Sequence, residues 1–388
     1  MIFNQSNLFS AKAAPILLGA CLLMPSAQAD VLFYETFDAQ PDWTTDDYKR
    51  DGTLPEGWFS ARAQELWSPY TGHPDRQPNA QILAANSDKA KGGKGKSYVM
   101  YRESGGVPKQ WNSDSILAYY LGPEVGPYQY GTQYDPQSGY EEVYIQFDIT
   151  FSNDFIQRYY DHGLGQGKGA RIYHFDGKQL YSFFSGEQNP AFIWDFSGTT
   201  TYGMRNFLSF YPRQKPERPY TAVKNPPVQM HRGDMSASYL TTTKGMMPDG
   251  SDAKVFDLTK NDGSLLPGPV AHADQVFGDE KHWVTMGFYV KMNSAPGVHD
   301  GVMMQWLNDQ RIMFNDQIAW VDETRNMVKW NIVAIGGNDA YNAIAKELRD
   351  EHWFAIDNVL IANHLPNVYA PDASLTPAAP TQFTVEQQ

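Results

Sequence analysis

Hydrophobic and polar residues alternate with a period of two over several parts of the chain. The clearest run covers residues 143–151. In a strand, this run places one set of side chains on a buried face (Val143, Ile145, Phe147, Ile149, Phe151) and the other on the opposite face (Tyr144, Gln146, Asp148, Thr150). Further strands are predicted at 31–37, 97–102, 170–175, 283–292, 302–308, 328–335 and 353–362. The chain is therefore predicted to consist mainly of β-strands.

Turn residues separate these runs, and one helical pattern interrupts them. The pair Gly336-Gly337 is typical of a turn. A helix is predicted over Ala340–Glu351, with Asn338-Asp339 as its N-terminal cap. Many short strands with few helices favour two sheets packed face to face, or a barrel. We therefore predict an all-β sandwich with long loops and one short C-terminal helix.

A single large domain is predicted for residues 30–365, because no internal repeat divides them. The stretch from about 186 to 270 is rich in Pro, Gly and Thr, and we expect it to form long loops over the sandwich. Residues 366–388 contain several Pro, Ala and Thr residues, which predicts a flexible tail. We expect the domain to be monomeric.

The N-terminus has the pattern of an export signal. Lys12 precedes an apolar run, and Ala27-Gln28-Ala29 follows it as a small-residue cleavage site. Residues 1–29 are thus predicted to be a signal peptide, and the mature protein to be secreted or periplasmic. An alternative is lipoprotein processing at Cys21, but the apolar run continues beyond that residue. Cleavage after Ala29 removes the only cysteine, so no disulfide is expected.

Composition and charge exclude several classes of protein. An aromatic content of 14% with only 19% charged residues can support a buried core, which argues against a disordered chain. The formal net charge is −13, which disfavours nucleic acid as a general partner. No segment after the signal is apolar over a length that would span a bilayer. A folded extracellular protein is the expected class.

Three segments resemble the concanavalin-like jelly roll of secreted polysaccharide lyases, including alginate and glucuronan lyases. The first runs from His282 to Asp309 and contains Pro296-Gly297 and Asp300-Gly301; the others are Ile335–Asp339 and Phe354–Ile361. Gly167-Lys168-Gly169 is similar to part of a Gly-Gly-Lys-Leu-Pro-Gly-Leu stretch of these lyases, and Gln229-Met230-His231 is similar to a Gln-Ile-His signature. The resemblance implies a β-sandwich whose concave sheet cleaves an acidic polysaccharide such as alginate by β-elimination.

A lyase of this kind must neutralise a uronate carboxylate, remove the C5 proton and protonate the leaving oxygen. Strand parity places Tyr289, Lys291 and Asn293 opposite the core face, and Gln146 follows the same pattern. The resemblance then implies Tyr289 as the proton donor or base, with Lys291 beside it. His174 or His231 is the expected partner, and Gln146 with Arg171 is expected to bind the carboxylate.

Substrate contacts are expected from further residues of the same strands and loops. Exposed aromatic rings stack on sugars, which nominates Trp306 and Trp194 as platforms. Asn293, Lys168 and His231 are the polar candidates. A polyanion needs a locally basic groove in this acidic chain, to which Lys168, Arg171, Lys178 and Lys291 are the expected contributors.

A structural calcium ion is expected where the first and last strands meet. Jelly-roll modules commonly hold one there, and Glu35 with Asp357 resembles the usual carboxylate pair. The alternative is that Asp357 accepts hydrogen bonds from backbone N–H groups of a neighbouring loop.

Two other functions remain open at the level of sequence. The first is a non-catalytic carbohydrate-binding or cell-surface sandwich, since a fold does not fix a function. The second is a glycoside hydrolase, which needs two carboxylates facing each other across a groove. No pair is evident for that chemistry, and the histidine spacing does not indicate zinc.

Overall fold

The structure is a computed structural model that describes eleven segments of the chain. They are residues 30–63, 78–103, 111–153, 166–181, 189–199, 203–213, 235–237, 245–246, 252–253, 282–340 and 351–366. The predicted signal peptide and the tail after residue 366 lie outside them.

Strands dominate the described residues. They are β1 (Val31–Glu35), β2 (Trp43–Thr44), β3 (Ser60–Ala63), β4 (Ala80–Ile82), β5 (Tyr98–Glu103), β6 (Trp111–Tyr120), β7 (Glu142–Phe151), β8 (Gln166–Tyr173), β9 (Ala191–Thr199), β10 (Gly203–Tyr211), β11 (Met235–Ala237), β12 (Gly245–Met246), β13 (Asp252–Ala253), β14 (Val284–Lys291), β15 (Gly301–Leu307), β16 (Gln310–Ile318), β17 (Ile332–Ala340) and β18 (Glu351–Ala362). One α-helix, α1 (Thr45–Asp51), and two 3₁₀ turns (Ala84–Lys89, Lys91–Gly93) accompany them.

Two antiparallel sheets contain most of these strands. The larger has the order β16-β15-β14-β7-β18-β5-β4-β2, and β1 also pairs with β18, which gives nine described strands. The smaller has seven, in the order β11-β10-β9-β8-β17-β6-β3. A separate two-stranded pair joins β12 and β13. This arrangement confirms the predicted all-β sandwich.

The inner faces of the two sheets form one continuous hydrophobic core. The predicted inward set of β7, from Val143 to Phe151, is buried there as expected. Ile172, Trp194 and Val333 reach the same core from the seven-stranded sheet. The alternation in the sequence therefore identifies the inner face of β7 correctly.

The helix α1 was missed by the sequence pattern because it is short and polar. Thr44 and Asp47 form a capping box at its start. The Thr44 side chain accepts a hydrogen bond from the Asp47 backbone N–H, and the Asp47 side chain accepts one from the Thr44 backbone N–H. Gly52 ends it in the left-handed conformation, with φ +80°. Within the described part of the chain, no helix is long and apolar enough to cross a membrane.

Two predictions about secondary structure were wrong. Residues 338–340 belong to β17 and residue 351 begins β18, so the proposed cap and both ends of the predicted helix are extended; residues 341–350 lie outside the described segments. The stretch expected to form loops contains β9 and β10, both part of the seven-stranded sheet. Phe192, Trp194 and Phe196 alternate inward there, and their burial outweighs the turn-rich composition around them.

Arg102 links the two sheets from inside the sandwich. It is fully buried on β5, and its guanidinium donates to Ser115 Oγ at 2.9 Å and to the Gly337 carbonyl at 3.1 Å, both across the sandwich. The guanidinium also lies 4.5 Å from the ring centre of Phe354. Gly336 of β17 has φ +80°, a conformation that favours glycine. A Cβ at this position would lie 1.9 Å from the carbonyl oxygen of Ser115 on β6, so the close approach of the two strands also requires glycine.

Replacing this arginine by methionine (Arg102→Met) keeps the length of the side chain but removes its donors. We expect the free energy of unfolding to fall by about 2–3 kcal/mol, because buried acceptors lose charged partners. Urea denaturation measures the change, with exposed Arg50→Met as the matched control. An unchanged midpoint for Arg102→Met would show that the sheets do not need this link.

Candidate functional site

The predicted catalytic residues lie on two opposite surfaces of the sandwich. Gln146, Tyr289 and Lys291 belong to β7 and β14 of the nine-stranded sheet, whereas Arg171 belongs to β8 of the seven-stranded sheet. Each of these side chains has the outward parity of its strand, as expected. The core therefore separates the two groups, and the expectation of one shared groove is wrong.

His174 belongs to neither outer surface. It follows β8 with the parity opposite to Arg171, and only 1% of it is exposed. Its Nδ1 lies 3.2 Å from the Lys329 carbonyl. Burial, together with the nearby Arg213 cation, lowers the pKa of His174 to about 4, so the ring is neutral at physiological pH. This environment suits a structural histidine better than a proton relay.

Tyr289 is part of a hydrogen-bonded chain on the nine-stranded sheet. Its hydroxyl donates to Glu142 Oε2, and the other oxygen of Glu142 lies 2.8 Å from His364 Nδ1. Burial and the Glu142 carboxylate raise the pKa of the Tyr289 phenol, so it stays protonated and is a poor base. Sequence reasoning missed Glu142 and His364, because no motif marks either residue.

The surroundings of Tyr289 are largely apolar. Tyr144, Met304, Trp306 and Leu360 form a buried cluster with it on the outer side of the sheet. Trp306 is 1% exposed, and Trp194 lies in the main core, so neither ring offers the predicted sugar platform. Gln146 accepts a hydrogen bond from the Tyr144 hydroxyl at 2.9 Å.

Asn293 and His231, two predicted substrate contacts, do not join this surface. The amide of Asn293 is buried and bonded to the backbone: it donates to the carbonyls of Ala295 and Val321 and accepts from the Val321 N–H. Its side chain therefore holds a turn after β14. His231 lies outside the described residues.

The outer face of the seven-stranded sheet carries a group of charged side chains. Lys168 lies opposite Asp195 in the pairing of β8 with β9, and Arg171 occupies the next outward position of β8, opposite Ile193. On β3, Arg62 Nε contacts Asp114 Oδ2 at 2.7 Å. We call Arg62, Lys168 and Arg171 the cationic row. Sequence reasoning found the two β8 residues but missed Arg62 and both aspartates.

Arg171 is held as a buried cation within this row. Its guanidinium donates to the Gly336 carbonyl at 3.3 Å and to Asn338 Oδ1 at 3.4 Å. Burial lowers the pKa of Arg171, and the carboxylates of Asp114 and Asp195 act in the opposite direction. An arginine remains charged under such conditions. The two aspartates therefore supply the counter-charge that this desolvated cation requires.

Two tyrosines border the cationic row. The Tyr173 hydroxyl donates to the Leu180 carbonyl at 2.9 Å, and the Tyr181 hydroxyl donates to Ser60 Oγ at 2.9 Å. Burial raises the pKa of both phenols, so each remains protonated at neutral pH. The guanidinium of Arg62 lies 5.7 Å from the Tyr181 ring centre. Arg62 has 41% of its side chain exposed and is the accessible cation of the row.

The two residues expected to hold calcium do not share a site. Glu35 pairs with Val359, a core residue, so its carboxylate points inward, where it accepts from the Phe37 N–H at 2.5 Å and from Gln40. Asp357 pairs with Asp148 on the outer parity of β7. Among the described side chains, no group of three His, Cys, Asp or Glu is arranged to hold a metal ion. The residues present thus do not fit the expected ion.

Asp357 instead binds backbone N–H groups, as in the alternative interpretation. Its carboxylate accepts from Lys91 N at 3.3 Å and from Asn358 N at 2.8 Å. The neighbouring Asp148 contacts Lys91 Nζ at 2.5 Å and also accepts from Asn358 Nδ2. Lys91 thus contacts both carboxylates, Asp357 through its backbone N–H and Asp148 through its ammonium group. Burial, with Asp38 and Asp148 nearby, raises the pKa of Asp357 to about 7.

Comparisons with known proteins give matches to solved structures alone. No protein-family profile matches the chain, and no curated protein matches it. The structure of alginate lyase Aly36B is similar with a TM-score of 0.42 and 12% identity, over 86% of this chain and 97% of that one. An endo-β-1,4-glucuronan lyase from Trichoderma reesei is similar with a TM-score of 0.42 and 10% identity, over 86% of this chain and 95% of that one. The catalytic domain of a Thermotoga petrophila laminarinase is similar with a TM-score of 0.37 and 9% identity, over 86% of this chain and 98% of that one.

The raised pKa of Asp357 predicts a specific dependence of stability on pH. A carboxyl group that binds its proton more tightly in the folded state stabilises the protein at low pH, and this contribution is lost as pH rises through the folded pKa. In the wild type, the free energy of unfolding should therefore fall by up to about 4 kcal/mol between pH 4 and pH 7 as Asp357 ionises. We expect the Asp357→Asn variant to lack this fall. Urea denaturation at several pH values measures it.

The matched control is Asp88→Asn, an exposed aspartate on the adjacent 3₁₀ turn, which should keep the wild-type profile. Identical pH profiles for Asp357→Asn and the wild type would contradict the proposed ionisation.

Proposed function

We propose that the chain binds an acidic polysaccharide across the outer face of the seven-stranded sheet and cleaves it by β-elimination. The observation that carries the proposal is the cationic row, in which Arg62, Lys168 and Arg171 gather on one sheet face of an otherwise acidic chain. A polyanion requires such a local concentration of positive charge. The sequence resemblance to polysaccharide lyases supports the same substrate class.

Recognition of the polymer is assigned to the accessible part of this face. Arg62 is exposed enough to turn from Asp114 towards a uronate carboxylate, and its planar guanidinium suits that group. The half-buried Tyr181 ring beside it offers an apolar surface for a sugar face. Arg171 stays within the sheet and contributes through its charge, because its donors are bonded to Gly336 and Asn338.

The proton transfers are assigned to Lys168 and Tyr181. Lys168, which is 5% exposed on β8, is the proposed base: its deprotonated Nζ removes the C5 proton of the uronate while Arg62 neutralises the uronate carboxylate, so that Arg62 and Arg171 remain the cations of the row. The electron pair left at C5 forms the C4–C5 double bond, and the C4–O4 bond breaks. Tyr181, whose raised pKa keeps it protonated, donates its proton to the departing O4. The products are an unsaturated uronate end and a new reducing end.

The Tyr289 surface is less suited to this substrate. Its polar centre is the Glu142 carboxylate, which repels a uronate, and its neighbours are buried apolar side chains. Lys291 is exposed at the end of β14, opposite that same glutamate.

The proposal includes export of the protein, since polysaccharides of this class are met outside the cytoplasm. It rests on the signal-like pattern of residues 1–29.

A second candidate function is binding of the polysaccharide without cleavage. The observation that favours it is that Arg62 is paired with Asp114, while the Tyr173 and Tyr181 phenols are held firmly protonated. Such a face would bind an anion but would lack a poised base if Lys168 stayed charged.

The two outer faces can be compared with matched variants of the full chain. We expect Lys168→Ala and Tyr181→Phe each to lower turnover of alginate or glucuronan by about a hundredfold or more, as removal of a proton-transfer group does. The controls Lys291→Ala and Tyr289→Phe alter the same residue types on the other sheet and should retain turnover within about threefold. Ultraviolet absorbance of the unsaturated product measures the rate.

Loss of turnover in the two controls, with normal turnover in Lys168→Ala, would place the reaction on the nine-stranded sheet instead. No product from any polyuronate, together with binding that depends on Arg62, would favour the non-catalytic function.

A further inference from the structure

A proline-rich loop at one end of the sandwich separates two open clefts. We call residues 123–127 the proline loop; it follows β6 and contains Pro123 and Pro127. One cleft, of ≈ 640 Å³, lies between this loop and residues 52–59. The other, of ≈ 350 Å³, lies between the loop and residues 129–135. Both volumes fall in the range of about 300–1,000 Å³ that small-ligand sites occupy.

Aromatic rings form the floor of both clefts. Tyr119 and Trp58 line the larger one, Tyr134 lines the smaller one, and Tyr120 is shared between them. Tyr119 stacks on Phe33 with ring centres 4.4 Å apart. Trp58 and Tyr120 are only 4% and 7% exposed, so the half-buried Tyr119 and Tyr134 are the rings that can meet the C–H face of a sugar ring.

Hydrogen bonds fix these rings before any ligand binds. The Tyr119 hydroxyl donates to the Leu32 carbonyl at 3.2 Å, and the Tyr120 hydroxyl lies 2.6 Å from Ser138 Oγ. The Tyr134 hydroxyl accepts from the Gln129 N–H at 2.9 Å. A ligand that stacks here would therefore order few side chains, which lowers the entropic cost of binding.

The polar lining indicates which class of sugar fits. Exposed Glu56 and Glu124 border the larger cleft, and exposed Gln133 and Asp135 border the smaller one. Among the described residues that line the clefts, none is Lys or Arg. Carboxylate and amide groups can bind sugar hydroxyls, but carboxylates repel uronates.

We propose that these clefts bind a neutral oligosaccharide, at a site separate from the cationic row. Phe59, which lines the larger cleft, lies three positions before Arg62 of the cationic row, about 10 Å along an extended strand. The clefts thus adjoin the cationic row but have no Lys or Arg in their described lining, and this difference in charge favours a different glycan there from the acidic polymer. The chain would then attach to a neutral glycan at one end and present its charged sheet face beside it.

Calorimetric titration of the full chain with soluble neutral oligosaccharides of glucose, mannose, xylose and galactose tests the proposal. We expect at least one to bind, with uronate oligosaccharides at least about tenfold weaker at this site. Tyr134→Ala should weaken binding by about tenfold, whereas Tyr134→Phe keeps the ring and should remain within about threefold. Gln133→Ala should weaken binding, and Gln137→Ala, an exposed glutamine that lines neither cleft, should not.

Circular dichroism shows whether Tyr134→Ala is folded; if it is not, Gln133→Ala combined with Glu124→Ala decides the question. The proposal is overturned if no neutral oligosaccharide binds, or if its affinity is the same in every variant. Lys168→Ala should leave this binding unchanged, so failure here and failure of the proposed lyase activity are distinguishable.

Discussion

The alternation of side chains across two packed antiparallel sheets is the constraint on which this structure depends. Each strand contributes every second residue to one shared core, so the residues between them can point only away from it. Chemistry is thereby confined to two outer faces that the core keeps apart. The nine-stranded sheet buries two tyrosines, a tryptophan, a methionine and a leucine beside Glu142, while the seven-stranded sheet carries the cationic row. The two faces are therefore unlike in charge and in polarity.

Electrostatics gives the face of the seven-stranded sheet its character. A guanidinium removed from water is costly unless anions and acceptors replace the lost hydration. Arg171 receives both, from Asp114, Asp195, the Gly336 carbonyl and Asn338. Arg171 is thereby fixed within the sheet, and its charge adds to that of the accessible Arg62 on the outer face. Inside the sandwich, the Arg102 guanidinium donates to the Ser115 hydroxyl and the Gly337 carbonyl.

Much of the fold was predictable from the sequence, but the site was predictable only in part. Periodicity identifies the inner residues of β7 and β14, because burial of a face requires it. It does not say which strands share a sheet, and so Tyr289 and Arg171 were assigned to one groove although they lie on opposite sides. Arg62 and Asp114 carry no motif, and only the pairing of β3 with β6 brings them into contact. The prediction that Glu35 and Asp357 share a calcium site failed because the register of β1 on β18 turns Glu35 inward, and the sequence does not show that register.

The central claim is that an acidic glycan lies on the seven-stranded sheet, and hydrogen exchange with mass spectrometry tests it most directly. The Tyr181→Phe variant should be saturated with a uronate oligosaccharide, so that slow turnover leaves the ligand intact during the measurement. We predict slower exchange in peptides covering β3, β8 and the segment that connects β8 to β9, with no change in β14 or β15. Protection confined to β14 and β15 would contradict the account and assign the glycan to the opposite face.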